Sequence, residues 1–445
     1  MQLDRLIAAL GPTEVANVAS PEIADLAYDT RGVVPGTLFF CVRGSNADGH
    51  LLAPEAVAAG AVALVVERLV EADVPQLVVP SVRRAMPIAA HEFFDWPSRE
   101  LEVAGITGTN GKTTTAFLLA SILDAAGRRP ALLTNIERRI GGQQRPLGLN
   151  TPESIDLQRL FREMLDAGDR SCVMEATSIA GAKGRLDGTR LAVLVFTNLT
   201  QDHLDFHGTM DEYFAAKEAL FALADRAVIN VGDEWGRKLA DALPDARTFT
   251  PDDELDGIDL HLRGHFNRAN ALGAMWAARE LAVPDEAIRT GIAAVRGVPG
   301  RFESVDAGQP FAVIVDYAHT PDSLENVLTA ARELGDRLLV VFGAGGDRDR
   351  EKRPLMGRVA ARLADRAIVT TDNPRSEDPA AIAAEVAEGK LEIVLDRRNA
   401  IERALGDAGP GDVVVIAGKG ADTEMELADR SIPFDDREVA REVLR

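Results

Sequence analysis

Three observations predict an α/β protein of several domains. The 445 residues exceed what one hydrophobic core usually holds. Short apolar runs alternate with stretches of helical periodicity from residue 37 to the C-terminal part. Two polar breaks containing proline or glycine, Asp95-Trp96-Pro97-Ser98-Arg99-Glu100 and Val298-Pro299-Gly300-Arg301, interrupt that alternation. The domains expected from them span residues 1–98, 99–303 and 304–445.

In the first, Thr37 to Val42 and Ala61 to Val66 read as buried strands flanking a helix at Ala53 to Ala59. In the second, strands at Val103 to Thr107, Cys172 to Glu175, Ala192 to Thr197 and Arg226 to Asn230 alternate with helices such as Thr113 to Ala126. That pattern predicts a parallel sheet covered on both faces. The third repeats it with strands at Arg337 to Phe342, Arg366 to Val369, Leu391 to Val394 and Val413 to Ala417. Helical periodicity at Ser323 to Leu334 and Met356 to Leu363 separates them, giving an open sheet of nucleotide-binding type.

Composition narrows the function. No run approaches the roughly 20 apolar residues that span a bilayer, and Met1-Gln2-Leu3-Asp4-Arg5 does not open a signal peptide, so a cytoplasmic protein is expected. Cys41 and Cys172 are too few for a disulfide framework and read as buried small hydrophobes. With 49 basic and 70 acidic side chains the net charge is -21, which disfavours nucleic acid and anionic membranes as partners. A phosphorylated small substrate then needs a local cationic or Mg2+-bearing pocket.

The sharpest local signal is Gly105-Ile106-Thr107-Gly108-Thr109-Asn110-Gly111-Lys112-Thr113-Thr114, between a strand and a helix. Backbone N–H groups of such a turn and the positive end of the following helix form a nest for phosphate oxygens. Lys112 can reach terminal phosphates and the Thr113 hydroxyl can ligate Mg2+. Ile106 stands five residues before Gly111, so the motif departs from a strict Walker A.

That run resembles the ATP signature of the Mur ligases, and further segments follow in the family's order. They are Thr197-Asn198-Leu199-Thr200-Gln201-Asp202-His203-Leu204-Asp205, Ala215-Ala216-Lys217, Gly264-His265-Phe266-Asn267-Arg268-Ala269-Asn270 and Pro299-Gly300-Arg301-Phe302-Glu303. Asp316-Tyr317-Ala318-His319-Thr320-Pro321 and Asp372-Asn373-Pro374-Arg375 complete the series. The resemblance implies an N-terminal UDP-binding α/β domain, a central P-loop parallel-sheet ATPase domain and a C-terminal Rossmann-like domain. It implies an ATP- and Mg2+-dependent ligase, closest to the member that adds meso-diaminopimelate to UDP-N-acetylmuramoyl-L-alanyl-D-glutamate for peptidoglycan. In that chemistry a carboxylate is activated as an acyl phosphate and attacked by an amine. A monomer is expected.

Residue roles follow from the same resemblance. Gly108, Thr109, Asn110, Gly111, Lys112, Thr113 and Thr114 hold the phosphates. Thr113 and Glu175 ligate one Mg2+ and His203 a second, with Lys217 carbamylated so that it too can hold metal. Asn267 and Asn270 read adenine, helix capping being an equal account of Asn267, while Arg301 and Asp316 meet phosphate and ribose. The muramoyl peptide falls to Asn150, Thr151, Ser178 and Arg185, and the nucleotide sugar to Thr30 and His50, where turn chemistry is the competing account. Lys217 has its own alternative, a solvated residue on a helix Asp211 to Phe221, and His203 that of a core histidine.

For the incoming amino acid, Arg375 is expected to grip a distal carboxylate, with Asp372, Asn373, Pro374, Arg353, Gly418 and Asp422 around it. Lysine-adding relatives lack that arginine. The chain departs from the family at Ile179, where an imidazole is usual, at Asn150, and at Ala421-Asp422 in place of His-Glu. The segment between Asn230 and Gly264 is also shorter. A paralogue with another amino acid or acceptor, or a binding subunit without turnover, are the alternative readings.

Overall fold

The computed structural model describes residues 1–44 and 47–445. The chain divides into two compact units. One comprises Met1–Gly105, Arg128–Val193 and Ala216–Asp225, the other Ile106–Gly127, Leu194–Ala215 and Arg226–Arg445.

In the first unit a five-stranded sheet runs in the order Glu14–Ala16, Gln76–Val78, Ala61–Val66, Thr37–Phe40, Asp25–Ala27. Its pairs are parallel except the edge pair Glu14–Ala16 with Gln76–Val78. Side chains alternate between faces along a strand, so both faces must be covered where a run is wholly apolar. Leu38 and Phe40 accordingly pack with Leu3, Leu6, Val82 and Met86 of the helices Leu3–Leu10 and Val82–Phe93. Phe39 and Cys41 pack on Ala53 and Ala56 of the helix Ala53–Ala59. Cys41 and Cys172 are buried and free, and burial pushes the Cys41 thiol up to about 12.

The same unit holds Ser171–Glu175 parallel to Pro130–Leu133. An antiparallel hairpin, Arg138–Ile140 with Gln143–Arg145, extends from there and lies outside the expected strands. Its turn is Gly141-Gly142, both at positive φ, the geometry of a tight hairpin turn. Only Ile140 of its six residues is buried, so its sequence carries too little apolar alternation to be read as strand.

In the second unit the helix Lys112–Ala125 packs against His265–Glu280 and Asp285–Ala294. The strands Val193–Phe196, Ala227–Asn230 and Arg247–Phe249 are parallel neighbours. A six-stranded sheet follows in the order Glu303–Ser304, Ala312–Asp316, Val413–Ala417, Leu338–Phe342, Arg366–Val369, Glu392–Ile393, parallel except at its first edge. Leu338, Val340 and Phe342 face the helices Pro321–Arg332, Lys352–Leu363 and Pro379–Ala387. Leu339 and Val341 face Arg397–Asp407 and Asp436–Val443. The last parallel strand in sequence, Val413–Ala417, inserts between the first two, Ala312–Asp316 and Leu338–Phe342.

Candidate active site

The glycine-rich run forms a strand–turn–helix. The strand Glu102–Thr107 runs into the turn, and the helix Lys112–Ala125 leaves it with Gly111 as N-cap at φ +85°. A Cβ on Gly108 would lie 1.9 Å from Thr197 Oγ1, and one on Gly111 2.2 Å from Asn270 Oδ1, so only glycine fits either place. Lys112 Nζ folds over the turn, donating to Gly108 O at 3.0 Å and Thr109 O at 2.7 Å. The segment 197–200 clamps the loop from outside. Asn198 Oδ1 accepts from Asn110 N at 2.9 Å, and Thr197 Oγ1 donates to Asn110 O at 2.6 Å. Thr109 Oγ1 donates to Thr200 O and lies 3.2 Å from Tyr213 OH. Thr113 and Thr114 are buried in the first helical turn.

Residues from the later part of the same unit converge there. Arg301 Nη2 donates to Thr113 Oγ1 at 3.0 Å, and its guanidinium lies over the Tyr317 ring at 4.2 Å. Asn110 Nδ2 donates to Asp322 Oδ2 at 2.8 Å. Asn270 Nδ2 donates to Asn267 Oδ1, while Asn267 Nδ2 spans the first helical turn to Arg263 O at 2.7 Å. Both amides are buried, and Asn267 lies inside the helix, whose N-cap is Gly264. Asp316 is also buried, its oxygens accepting from Phe302 N and Ala318 N, and burial raises its carboxyl above the usual range.

His203 sits at φ +55° with Nε2 3.4 Å from Asp202 Oδ2. Asp202 also meets His319 at 3.6 Å and Lys352 at 3.3 Å. Burial alone would raise the Asp202 carboxyl, but Lys352 and the two imidazoles hold it well below the usual carboxylate range. This buried ion pair of Asp202 with Lys352 is a feature the sequence reading missed. The Asp-His run and the lysine lie 150 positions apart, so only folding joins them.

In the first unit, Glu175 ends the strand Ser171–Glu175 and accepts from Asn150 Nδ2 at 2.9 Å and Asn135 N at 3.4 Å. Asn150, one of the departures, therefore orients the Glu175 carboxylate. Thr151 Oγ1 donates to Glu175 O, and Arg185 spans Thr151 O and Glu153, both at 3.0 Å. Ser178 is buried at the start of the helix Ser178–Ala182, and Ile179 follows it. Lys217 lies on the helix Met210–Glu218 and is only 1% exposed, which rules out the solvated-face account. The backbone carbonyl of Ala216 beside it abuts Gly181.

Two residues expected at substrate are held by partners in their own chain. His50 is buried, Nδ1 lying 2.7 Å from Asp48 Oδ1 and Nε2 accepting from Glu67 N at 2.9 Å. Both ring nitrogens brace the turn. Thr30 lies in a single 3-10 turn that Asp29 caps. Arg353 is 0% exposed, with its terminal nitrogens on Glu377, Glu385 and Gly345 O, and presents no open guanidinium. Arg348 is exposed beside Gly345, where a Cβ would lie 3.7 Å from Arg348 Cγ and 3.1 Å from Arg375 Nη1.

Arg375 adopts φ +50° and donates through Nη1 to Gly346 O at 2.8 Å and through Nε to Glu426 Oε2 at 2.6 Å. Asn373 Oδ1 accepts from Lys419 Nζ and Glu426 N. Pro374 and Asp372 are buried in the same turn. Gly418, at φ +116°, leaves room for the Asp372 carboxylate, 2.2 Å from where a Cβ would lie. Burial raises the Asp422 carboxyl, Lys419 lowers it and Asp372 raises it again.

Profiles of the Mur ligase family match three successive segments: the Mur ligase family catalytic domain over residues 22–94, the middle domain over 106–250 and the glutamate ligase domain over 300–420. The UDP-N-acetylmuramoyl-L-alanyl-D-glutamate--2,6-diaminopimelate ligase of Solibacter usitatus (strain Ellin6076) is 44% identical over 96% of this chain and 94% of its own. The chain belongs to the Mur ligase family. Among solved structures, a UDP-N-acetylmuramoyl-L-alanyl-D-glutamate--2,6-diaminopimelate ligase superposes on this Mur ligase with a TM-score of 0.65 at 29% identity, covering 95% of this chain and 94% of that one. The MurF ligase from Thermotoga maritima in complex with ADP gives 0.63 at 19%, covering 94% and 96%. The three-domain α/β fold of the family is thus the fold of this Mur ligase.

Proposed function

We propose that this Mur ligase adds meso-diaminopimelate to UDP-N-acetylmuramoyl-L-alanyl-D-glutamate, forming a carbon–nitrogen bond at the expense of ATP during peptidoglycan precursor synthesis. The observation that carries the reading is the glycine cradle of Gly108 and Gly111 under Lys112, with Thr113 at the helix start. A phosphate chain suits such a turn because glycine lets the backbone pass tightly against Thr197 and Asn270, and the first N–H groups of a helix are left without partners inside it. Bound ATP with Mg2+ would supply the phosphoryl group that makes the substrate carboxylate a good acyl donor. Gly108 to Thr114 would hold its phosphates, and Arg301, already on Thr113, would add positive charge where phosphoryl charge develops.

Thr113, Glu175, His203 and Lys217 are the proposed Mg2+ ligands. Among the described residues no three His, Cys, Asp or Glu side chains gather as a metal cluster, so the donors would include hydroxyl, carbamate and phosphate oxygens, which suit this hard ion. Lys217 is buried, and its carbamate would bring anionic oxygen donors whose charge a bound Mg2+ would balance. Asn267, Asn270 and Asp316 would frame the nucleoside. Thr30, Asn150, Thr151, Ser178 and Arg185 would bind the UDP-muramoyl peptide, and Arg375 with Asp372, Asn373, Pro374, Gly418 and Asp422 the amino acid. The proposed domains span 1–98, 99–303 and 304–445. No helix among the described residues is long and apolar enough to cross a membrane. We place the enzyme in the cytoplasm as a monomer.

A second reading, a ligase with a different amino acid or acceptor, is favoured by one observation: Glu426 already engages Arg375, and Asp422 stands near Lys419. Incubating the purified chain with ATP, the UDP-muramoyl dipeptide and single candidate amines, and following ADP release and product mass, separates the two. Diaminopimelate-dependent ADP release with a product heavier by one diaminopimelate residue is expected. ADP release only with another amine selects the second reading, and none with any amine rejects both.

A further inference from the structure

The guanidinium of Arg375 is already engaged by a carboxylate of its own chain. Glu426 Oε2 lies 2.6 Å from Nε, and Nη1 is committed to Gly346 O. A guanidinium grips a carboxylate in parallel along either its Nε–Nη2 edge or its Nη1–Nη2 edge. Each edge here has one nitrogen engaged, leaving Nη2 as the nitrogen with no partner among the described residues.

The backbone fixes this arrangement. Arg375 N donates to Glu426 O at 3.1 Å, and Glu426 N donates to Asn373 Oδ1 at 3.0 Å. Lys419, fully buried, ties Asn373 to the strand Glu424–Glu426 by donating to Asn373 Oδ1 and Glu424 O. Strand alternation puts Met425 inward and Glu426 outward, beside Arg375. The Glu426 side chain is 52% exposed, so it can swing into solvent without disturbing the core.

We propose that Glu426 is a specificity-determining gate on Arg375: its carboxylate holds the place of the distal carboxylate of an incoming amino acid and must be displaced before that group binds. This rests on the assignment of the amino-acid site to Arg375. A dicarboxylic diamino acid bears the cost of displacement, and lysine, with no distal carboxylate, does not. Glu426 thereby narrows the preference for diaminopimelate over lysine.

The test measures KM and kcat for meso-diaminopimelate and L-lysine by ADP release, with ATP and the UDP-muramoyl dipeptide saturating, in the parent, Glu426→Gln, Arg375→Ala and the double variant. A neutral amide competes less well for the guanidinium than a carboxylate. In Glu426→Gln the KM for diaminopimelate is expected to fall about two- to fivefold, the range of a half-exposed ion pair, with the change confined to KM. The KM for lysine should not fall. Within the Arg375→Ala background the Glu426 change should have no further effect on diaminopimelate. An unchanged or raised diaminopimelate KM in Glu426→Gln, or an equal effect with Arg375 absent, overturns the gate while leaving the ligase assignment intact. No diaminopimelate-dependent ADP release from the parent overturns both.

Discussion

Single residues carry the chemistry because the backbone leaves them no alternative. Gly111 turns the chain at φ +85° against Asn270, and the neighbouring Lys112 is positioned by that turn. Gly111→Ala places a methyl group 2.2 Å from Asn270 Oδ1 and adds about 1–2 kcal/mol of left-handed backbone strain. At least about a tenfold loss in kcat/KM for ATP is expected, since small misplacements of reacting groups are costly, together with a lower melting temperature. Steady-state ADP release and thermal melts check this. The glycines were legible because glycine, lysine and threonine at this spacing mean one local geometry. The fate of Arg353 was not. Whether an arginine is open or locked depends on Glu377 and Glu385, 24 and 32 positions away, whose convergence no local pattern reports.

Elements set the stability around the site. The helix Lys352–Leu363 brings Arg353 onto Glu377, and that guanidinium holds the Glu377 carboxyl down at about 2. A carboxyl depressed by folding stabilises the native state fully above its unfolded value, about 4.3, and that contribution is lost as pH falls toward the folded value. Glu377→Gln should cost about 1.5–3 kcal/mol at neutral pH. Its difference from the parent should shrink below about pH 4.3. Melting temperatures of the two proteins across that range decide it, and a pH-independent difference would refute the assignment. Strands with wholly apolar faces, such as Leu338–Phe342, were legible to within a residue because burial on both sides demands that composition. The hairpin Arg138–Arg145 was not, since a half-exposed edge imposes little pattern.

The whole molecule carries a charge of -21, and its proposed substrates are anions. Salt shortens the reach of that field from about 30 Å at 0.01 M to about 8 Å at 0.15 M. The KM for the UDP-muramoyl dipeptide is therefore expected to fall at least about twofold over that range at fixed free Mg2+; a rise would show that the local cationic pocket outweighs the global field. The sequence by itself determined the layered α/β architecture, the glycine-rich strand–helix turn and the family, because periodicity, glycine turns and ordered motifs are local properties of a chain. Only the tertiary structure decided which charged groups stand open and which are locked: His50 bracing a turn, Arg353 closed by two glutamates, Lys217 buried, and Arg375 covered by Glu426. The reason is physical. A side chain's charge is written in the sequence, but its partners and its exposure to water come from residues that only folding brings within a few ångströms.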